Sequence, residues 1–360
     1  MINMAKPQIG PEEKQAVMEV LDSGIIAQGS RTKAFEEAFA RIRGTKYAIA
    51  TSSGTTALHV AMLANGLHEG DEVITSAFTF IASANSVVYT GARPVFIDID
   101  PVTFNIDPKL IEAAITPRTK AIMPVHLFGL MADMDAIMAI AKKHNLLVIE
   151  DACQAHGAEF KGQKAGSIGT GTFSLYPTKN ITSGEGGMIT TSDEKINEAC
   201  RVIRNHGMHV RYYHDEIGYN FRMTDLHAAI GLAQAPKLEK FNQKRQENAA
   251  YLSAHLKGVC TPVVPEGYTH VFHQYTVRVP DGKRDAMREF LKERGVGSEV
   301  YYPVPIHKQK VYVEQLGYNQ TLPETERAAT EVLSLPVHPG LSKEDLDCVI
   351  SAVNDFMAKA

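Results

Sequence analysis

Short β-branched and apolar runs alternate with helical patterns between about residues 46 and 193. The runs that predict strands are Tyr47–Ser52, Glu72–Ser76, Pro94–Ile99, Ala121–Val125, Leu146–Glu150, Gly171–Tyr176 and Gly187–Thr191. The helical patterns are Thr56–Asn65, Phe78–Tyr89, Lys109–Ile115, Met134–His144 and Glu194–Asn205. This alternation is typical of parallel strands joined by crossover helices. Because the runs are apolar on successive residues, we expect a large, mainly parallel seven-stranded α/β sheet buried on both faces.

The pattern changes after residue 225. Leu226–Lys257 carries charges at helical spacing, which predicts one long connecting helix. The elements predicted beyond it are a strand at Tyr275–Val279, a helix at Asp285–Gly295 and a terminal helix from Ser342 to Phe356, opened by a capping box. We therefore expect a large domain over residues 1–240 and a smaller C-terminal α+β domain over 241–360.

Charge and composition exclude several classes of protein. Lys and Arg total 37 against 41 Asp and Glu, a net charge of −4 without runs of like charge, which argues against nucleic acid as a partner. Met1–Pro7 has no apolar signal region and no stretch is long enough to span a membrane, so we expect a cytoplasmic protein. The four widely spaced cysteines fit reduced thiols, with no metal site.

Ser52–Ala57 is a run of small residues between a predicted strand and a predicted helix. Such a turn presents free backbone N–H groups and a helix N-terminus to an anion, and therefore forms a phosphate cup. It lacks the Walker and dinucleotide-binding patterns. The alternative is an ordinary helix start capped by Ser53.

Two carboxylates, Glu150 and Asp151, end a buried strand, where ligands bind in open α/β sheets. Either carboxylate is a candidate for function. The alternative for Asp151 is that it caps the following turn.

Lys179 follows another strand end and precedes the glycine-rich segment Gly184–Gly187. Enclosure there would disfavour the ammonium form and leave the amine free to form a Schiff base with a carbonyl. The alternative is a solvated surface lysine.

An anion cup, an acid at a strand end and a loop lysine 28 positions after that acid are together what pyridoxal 5′-phosphate (PLP) needs. The phosphate needs the helix N-terminus, the pyridinium nitrogen needs the carboxylate and the aldehyde needs the lysine. Together these residues point to PLP as the cofactor.

The chain also resembles the DegT/DnrJ/EryC1/StrS group of PLP-dependent sugar aminotransferases, which have the fold type I architecture. The segments that carry the resemblance, in order, are Gly54–Leu58, Gly70–Ile74, Thr79–Phe80, Asp98–Asp100, Glu150–Gln154, Gly157–Ala158, Phe173–Asn180, Gly184–Gly187, Gly218–Met223, Tyr302–His307 and Leu333–Pro336. They cover nearly the whole chain. The resemblance implies a fold type I PLP-transferase with a large sheet domain and a smaller C-terminal α+β domain.

The resemblance also assigns roles residue by residue. Lys179 matches the Schiff-base lysine and Asp151 the partner of the pyridine nitrogen, which makes these two the expected catalytic residues. The other matched cofactor contacts are Gln154 at the phenolic oxygen, Phe80 stacked on the ring, Gly54, Thr55 and Ser174 at the phosphate, and Asn220 with Arg222 reaching the phosphate of the neighbouring subunit. A homodimer with shared active sites follows. Gln28, Tyr301 and His307 are weaker candidates for substrate contacts.

The resemblance implies that an amino group moves, usually from L-glutamate, to a nucleotide-linked keto sugar by a ping-pong mechanism. A lysine at position 179 favours aminotransfer, because family members with histidine there are sugar dehydratases. Gly184–Gly187 favours a 4-keto-6-deoxy sugar. The alternatives are a dehydratase, an aminotransferase acting on a 3-keto sugar and a non-catalytic PLP-binding regulator.

Overall fold

The computed structural model describes residues 1–359. Its helices are α1 Pro11–Ser23, α2 Ser30–Arg43, α3 Gly54–Ala64, α4 Ala82–Val88, α5 Ile111–Ala114, α6 Met134–His144, α7 Glu194–Arg204, α8 Asp225–Gln234, α9 Leu238–His255, α10 Arg284–Glu293, α11 Lys310–Glu314, α12 Pro323–Glu331 and α13 Lys343–Lys359. Its strands are β1 Tyr47–Thr51, β2 Glu72–Ser76, β3 Arg93–Ile97, β4 Thr119–Met123, β5 Leu147–Asp151, β6 Glu159–Phe160, β7 Gln163–Lys164, β8 Thr170–Ser174, β9 Gly187–Thr191, β10 Met208–Val210, β11 Tyr213–His214, β12 Tyr268–Thr269, β13 Tyr275–Arg278 and β14 Val332–Leu335.

The central sheet has the order β1-β9-β8-β5-β4-β2-β3. All seven predicted strands are present, each within two residues of the expected bounds. Strands β8, β5, β4, β2 and β3 pair in parallel, whereas β9 is antiparallel to β1 and β8. The sequence did not predict this reversal. It follows from the connection at 175–186, which has no helix to carry the chain back across the sheet.

Both faces of the sheet are buried, as predicted. Helices α2, α6 and α8 pack on one face, where Ala48, Ala50 and Phe173 lie in the same apolar cluster. Helices α3 and α7 cover the other face, around Ile49 and Ile149. Alternate residues of one strand therefore serve the two cores.

The C-terminal part has its own apolar core, in which α9, α10 and α13 pack around the antiparallel pair β13–β14. The sequence analysis predicted β13 but not β14. The terminal helix begins with the predicted capping box, since the amide of Asp345 donates to Ser342 Oγ (3.1 Å) and that of Ser342 to Asp345 Oδ2 (3.0 Å). The expected domain boundary at 240/241 lies inside α9, which runs between the two cores.

Three predicted helices differ from those observed. The helix expected over 109–115 is a 3-10 turn at Pro108–Leu110 followed by the four-residue helix α5. The connecting helix expected over 226–257 is divided into α8 and α9 by a 3-10 turn at Ala235–Lys237, because Pro236 has no N–H to continue an α-helix. The helix expected over 78–89 begins only at Ala82. The amide of Phe78 instead donates to Ser76 Oγ (3.0 Å), which turns the chain before the helix starts.

Helices α1 and α2, which precede the first strand, were not predicted. They contact α8 along one side of the large part. In residues 1–359, no helix is long and apolar enough to cross a membrane.

Gly187, the first residue of β9, lies directly against the start of α3. A Cβ at this position would lie 2.1 Å from the carbonyl oxygen of Ser53. We predict that Gly187→Ala lowers the free energy of unfolding by about 1–3 kcal/mol, since backbone must move to admit the methyl group. Urea denaturation measures the change.

Gly340→Ala is the matched control, because a Cβ there would crowd only the flexible end of the Gln8 side chain and would meet His338 Nδ1 at an ordinary contact distance of 3.4 Å. It should change the free energy of unfolding by less than about 0.5 kcal/mol. Equal stability of the two variants would contradict the close packing of β9 on α3.

Candidate active site

A cavity of about 870 Å³ opens at the carboxyl ends of the parallel strands. Its walls come from the start of α3, the loops after β2, β5 and β8, and a C-terminal segment, Glu299–Ile306. The sequence-predicted residues that line it are Gly54, Thr55, Phe80, Asp151, Gln154, Ser174, Lys179 and Tyr301. The chain therefore brings together residues that lie up to 247 positions apart.

Four other predicted residues do not line this cavity in a single chain. Asn220 forms a backbone bridge with Asn205, and Arg222 Nη1 donates to Asn205 Oδ1 (2.7 Å). Gln28 lines a separate cleft beside Arg201. His307 is fully buried and its Nε2 lies 3.1 Å from Glu326 Oε1, so its ring packs behind the cavity wall.

The start of α3 is both a capped helix and an anion cup. Ser53 caps the helix, since its Oγ accepts from the amide of Thr56 (3.1 Å) and its own amide donates to Thr56 Oγ1 (2.9 Å). The amides of Gly54 and Thr55 have no protein acceptor within residues 1–359. The capped helix start and the phosphate cup are therefore compatible interpretations, because the cap leaves these two N–H groups for a ligand.

Gly54 also sets how closely α3 approaches β8. A Cβ on Gly54 would lie 2.7 Å from Ser174 Cβ. Only glycine lets the end of β8 approach this helix start, and that approach brings the Ser174 hydroxyl beside the cup.

Asp151 ends β5 with a buried side chain aimed at the cavity. Its Oδ2 accepts from Ser83 Oγ (2.7 Å), which in turn lies 3.0 Å from Thr79 Oγ1. Its Oδ1 accepts from the amide of Cys153 (3.2 Å). Asp151 thus caps the following turn, which was the alternative predicted for it. The bonds to Cys153 and Ser83 hold its carboxylate facing the cavity.

Glu150 points to the opposite face and is fully buried. It is paired with His126, whose Nε2 lies 2.9 Å from Glu150 Oε2, and it accepts from the amides of Gly166, Ile168 and Gly169. Burial acts to raise the pKa of Glu150, but these hydrogen bonds and the imidazole outweigh it and lower the pKa. Of the two candidate carboxylates, Glu150 holds the loop at 166–169 and Asp151 serves the cavity.

Lys179 is half-buried and lines the cavity. Burial lowers the pKa of Lys179, while Cys153 and Asp151 act in the opposite direction. Its Nζ lies 3.5 Å from His273 Nε2. Burial and the nearby Lys179 and Arg245 lower the pKa of His273 well below its usual value, so a neutral imidazole faces the amine.

Phe80 and Gln154 line two further sides of the cavity. Phe80 follows the turn that delays α4, and its side chain is 59 % exposed at the cavity mouth. An exposed ring at this place presents a free face for stacking on a planar ligand. Gln154 is buried, and its Nε2 donates to Tyr302 OH (2.9 Å).

Ser83 and His273 line the cavity without having been predicted there, and Tyr302 was expected only as part of the resemblance segment Tyr302–His307. Ser83 falls within a segment read only as helix, although it lies three residues after Phe80. His273 and Tyr302 follow the last strand of the central sheet by more than 80 residues. No local pattern indicates that the C-terminal part returns them to the cavity.

These groups fit PLP. Unpartnered amides at Gly54 and Thr55 suit its phosphate, an anchored carboxylate at Asp151 suits its ring nitrogen, and an enclosed amine at Lys179 suits its aldehyde. Within residues 1–359 no group of three or more His, Cys, Asp or Glu side chains could hold a metal ion.

Fold and cavity together define a fold type I PLP-dependent transferase. The chain belongs to the DegT/DnrJ/EryC1/StrS aminotransferase family, which it matches over residues 7–354. The resemblance found in the sequence is thereby confirmed, and the chain is a PLP-dependent transaminase of a sugar aminotransferase family.

Three relatives show what the chain is similar to. It is 48 % identical over 357 residues to the "pleiotropic regulatory protein" of Geobacillus stearothermophilus, covering 97 % of this chain and 95 % of the relative. It is 43 % identical over 339 residues to UDP-N-acetyl-3-dehydro-alpha-D-glucosamine 3-aminotransferase of Acidithiobacillus ferrooxidans, covering 93 % and 91 %. The crystal structure of DesV from S. venezuelae is 39 % identical, with a TM-score of 0.93 and coverage of 97 % and 95 %.

The enclosure of Lys179 predicts an unusually reactive amine. In cofactor-free protein, the pH midpoint for reductive methylation of Lys179 should lie below the ordinary lysine value of 10.5, because burial disfavours the ammonium form. Asp151→Asn should lower the midpoint further, since the carboxylate favours the ammonium. Peptide mass spectrometry follows the labelling at each pH.

Labelling of the exposed Lys310 of α11 in the same samples checks that the reagent is active at each pH. A Lys179 midpoint at or above 10.5 would contradict the burial of the amine.

Proposed function

We propose that this chain transfers an amino group from L-glutamate to a nucleotide-linked keto sugar, using PLP bound at Lys179. The observation that carries the proposal is the enclosed Lys179 amine in one cavity with the anion cup and the anchored Asp151. Family membership supports the amino transfer. The nucleotide, the donor and the sugar belong to the proposal.

Each cofactor group has a partner in this chain. Gly54 and Thr55 would bind the phosphate through their amides, with the Ser174 hydroxyl beside them. Asp151 would keep the pyridine nitrogen protonated, and its bonds to Ser83 and the Cys153 amide hold it in place. Bound PLP supplies an electron sink that stabilises negative charge on the carbon losing a proton.

Lys179 has two tasks in this proposal. It would hold the cofactor aldehyde, and its free neutral amine would move a proton as general base and then as general acid. His273 Nε2 offers a neutral acceptor 3.5 Å from the freed amine. Burial lowers the pKa of Lys179, which favours the neutral amine. Both tasks need this form, because only the neutral amine attacks an aldehyde or takes up a proton.

Charge supports a second subunit at the site. Among the described residues lining the cavity, Lys179 is the only lysine or arginine, whereas a sugar nucleotide carries at least two negative charges. We propose that a homodimer supplies further positive charge through Arg222, which would reach the phosphate of the neighbour's cofactor together with the neutral Asn220. Gln28 would contribute from the same neighbouring chain.

For the substrate, Tyr301 lines the cavity and is the first candidate contact. His307 would act only behind the wall, through Ile306. Our first candidate is a 4-keto-6-deoxy sugar, on the resemblance of Gly184–Gly187. A 3-keto sugar is the second candidate, favoured by the Acidithiobacillus relative, whose name specifies a 3-dehydro sugar. A panel of UDP- and dTDP-linked 3- and 4-keto sugars separates the two.

The name of the Geobacillus relative, a regulatory protein, is the one observation that favours the non-catalytic regulator. Lys179 and Asp151 line the same cavity, which supports the enzyme over the regulator. The lysine at position 179 also favours aminotransfer over dehydration.

Lys179→Ala should lower kcat for amino transfer by at least about 10²–10⁴-fold, the usual contribution of a general acid–base group. It should also abolish the borohydride-reducible attachment of PLP. Formation of 2-oxoglutarate from glutamate measures the first effect and mass spectrometry after reduction the second. Lys310→Ala, on exposed α11, is the matched control and should behave as wild type.

Unchanged transfer in Lys179→Ala would rule out the proposed role. Wild-type protein that binds PLP yet forms no 2-oxoglutarate with any keto sugar of the panel would favour the regulator.

A further inference from the structure

We infer that Tyr302 is a positioning residue for the cofactor, acting through Gln154. Its hydroxyl fixes the Gln154 amide so that one N–H is available to the ring oxygen of PLP. The inference rests on the proposed function, and in particular on the place of Gln154 beside that oxygen.

The orientation of the Gln154 amide is set from two sides. Oε1 accepts from the backbone amide of Phe128 (2.9 Å), and Nε2 donates to Tyr302 OH (2.9 Å). Turning the amide over would set Nε2 against the N–H of Phe128, two donors facing each other. Nε2 carries two hydrogens, and the bond to Tyr302 uses one of them. The second remains for a ligand in the cavity that Gln154 lines.

The backbone at both contacts is held in a costly conformation. Tyr302 has φ 61° and Phe128 has φ 56°, the left-handed region that bulky residues avoid. Such residues persist only where their surroundings enforce them, and they concentrate at functional sites. Here each left-handed residue presents a hydrogen-bonding group to the same amide.

Aromatic packing enforces the two conformations. The Tyr302 ring stacks on Phe128 with an interplanar angle of 11° and a centroid distance of 6.4 Å, and it meets Phe78 edge-on at 5.7 Å. The carbonyl of Phe128 accepts from the amide of Gln274 (3.2 Å). The Tyr302 ring is thereby fixed independently of its hydroxyl, and a Tyr302→Phe variant should keep this packing.

The contact joins two parts of the chain that the sequence separates by 148 positions. Gln154 follows β5 of the central sheet, whereas Tyr302 belongs to the C-terminal segment of the cavity wall. Burial raises the pKa of Tyr302, so the group remains a neutral phenol. Docking of the C-terminal part therefore sets the donor that faces the cofactor.

The test compares Tyr302→Phe with Tyr275→Phe. Tyr275 is a fully buried tyrosine whose hydroxyl lies 2.8 Å from Ser253 Oγ, away from the cavity, so it controls for the loss of a buried hydroxyl. We expect Tyr302→Phe to weaken PLP binding to the cofactor-free protein about five- to tenfold. The pH midpoint of the visible absorbance of bound PLP should also rise, because a weaker donor stabilises negative charge on the ring oxygen less. Tyr275→Phe should change neither quantity.

A second arm asks whether the effect passes through Gln154. In a Gln154→Leu background, Tyr302→Phe should move the pH midpoint no further. The inference is overturned if Tyr302→Phe matches Tyr275→Phe, or if it shifts the midpoint equally in both backgrounds. Wild-type protein that fails to bind PLP would instead overturn the proposed function, and the inference with it.

Discussion

The active site depends on how strand β5 ends. Consecutive residues of a strand point to opposite faces, so Glu150 and Asp151 cannot share a role. Glu150 is bound by His126 and three loop amides on one face, which leaves Asp151 directed into the cavity on the other. A shift of one residue would exchange the two carboxylates. The buried pair between His126 and Glu150 therefore determines which acid faces the cavity.

Burial and backbone dipoles, more than charged side chains, set the electrostatics of the cavity. The pKa of Lys179 is lowered by burial, and its neighbour His273 is kept neutral by burial and by nearby cations. The free amides of Gly54 and Thr55 are anion-binding groups that a count of charged residues does not register. A net charge of −4 is consequently compatible with a cofactor and a substrate that are both anionic.

Much of the large domain was predictable because buried parallel strands leave apolar runs, and because Asp151 and Lys179 lie at strand ends. The direction of β9 was not, since it depends on a connection rather than on the strand itself. Pro236 is a local signal for the break between α8 and α9. The prediction overlooked it because the spacing of the charges is that of one continuous helix. His273 had no such signal and Tyr302 had only the family resemblance of its segment, because the packing of the C-terminal part is what brings both residues to the cavity.

We propose that this chain takes the amino group from the donor in a first half-reaction, before any sugar binds. The direct measurement is a single turnover of PLP-loaded protein with L-glutamate and no sugar, with 2-oxoglutarate quantified against protein chains. We expect the wild-type protein to release close to one 2-oxoglutarate per chain in a burst, and Lys179→Ala to release none. No burst from wild-type protein, or an equal burst from both proteins, would contradict it.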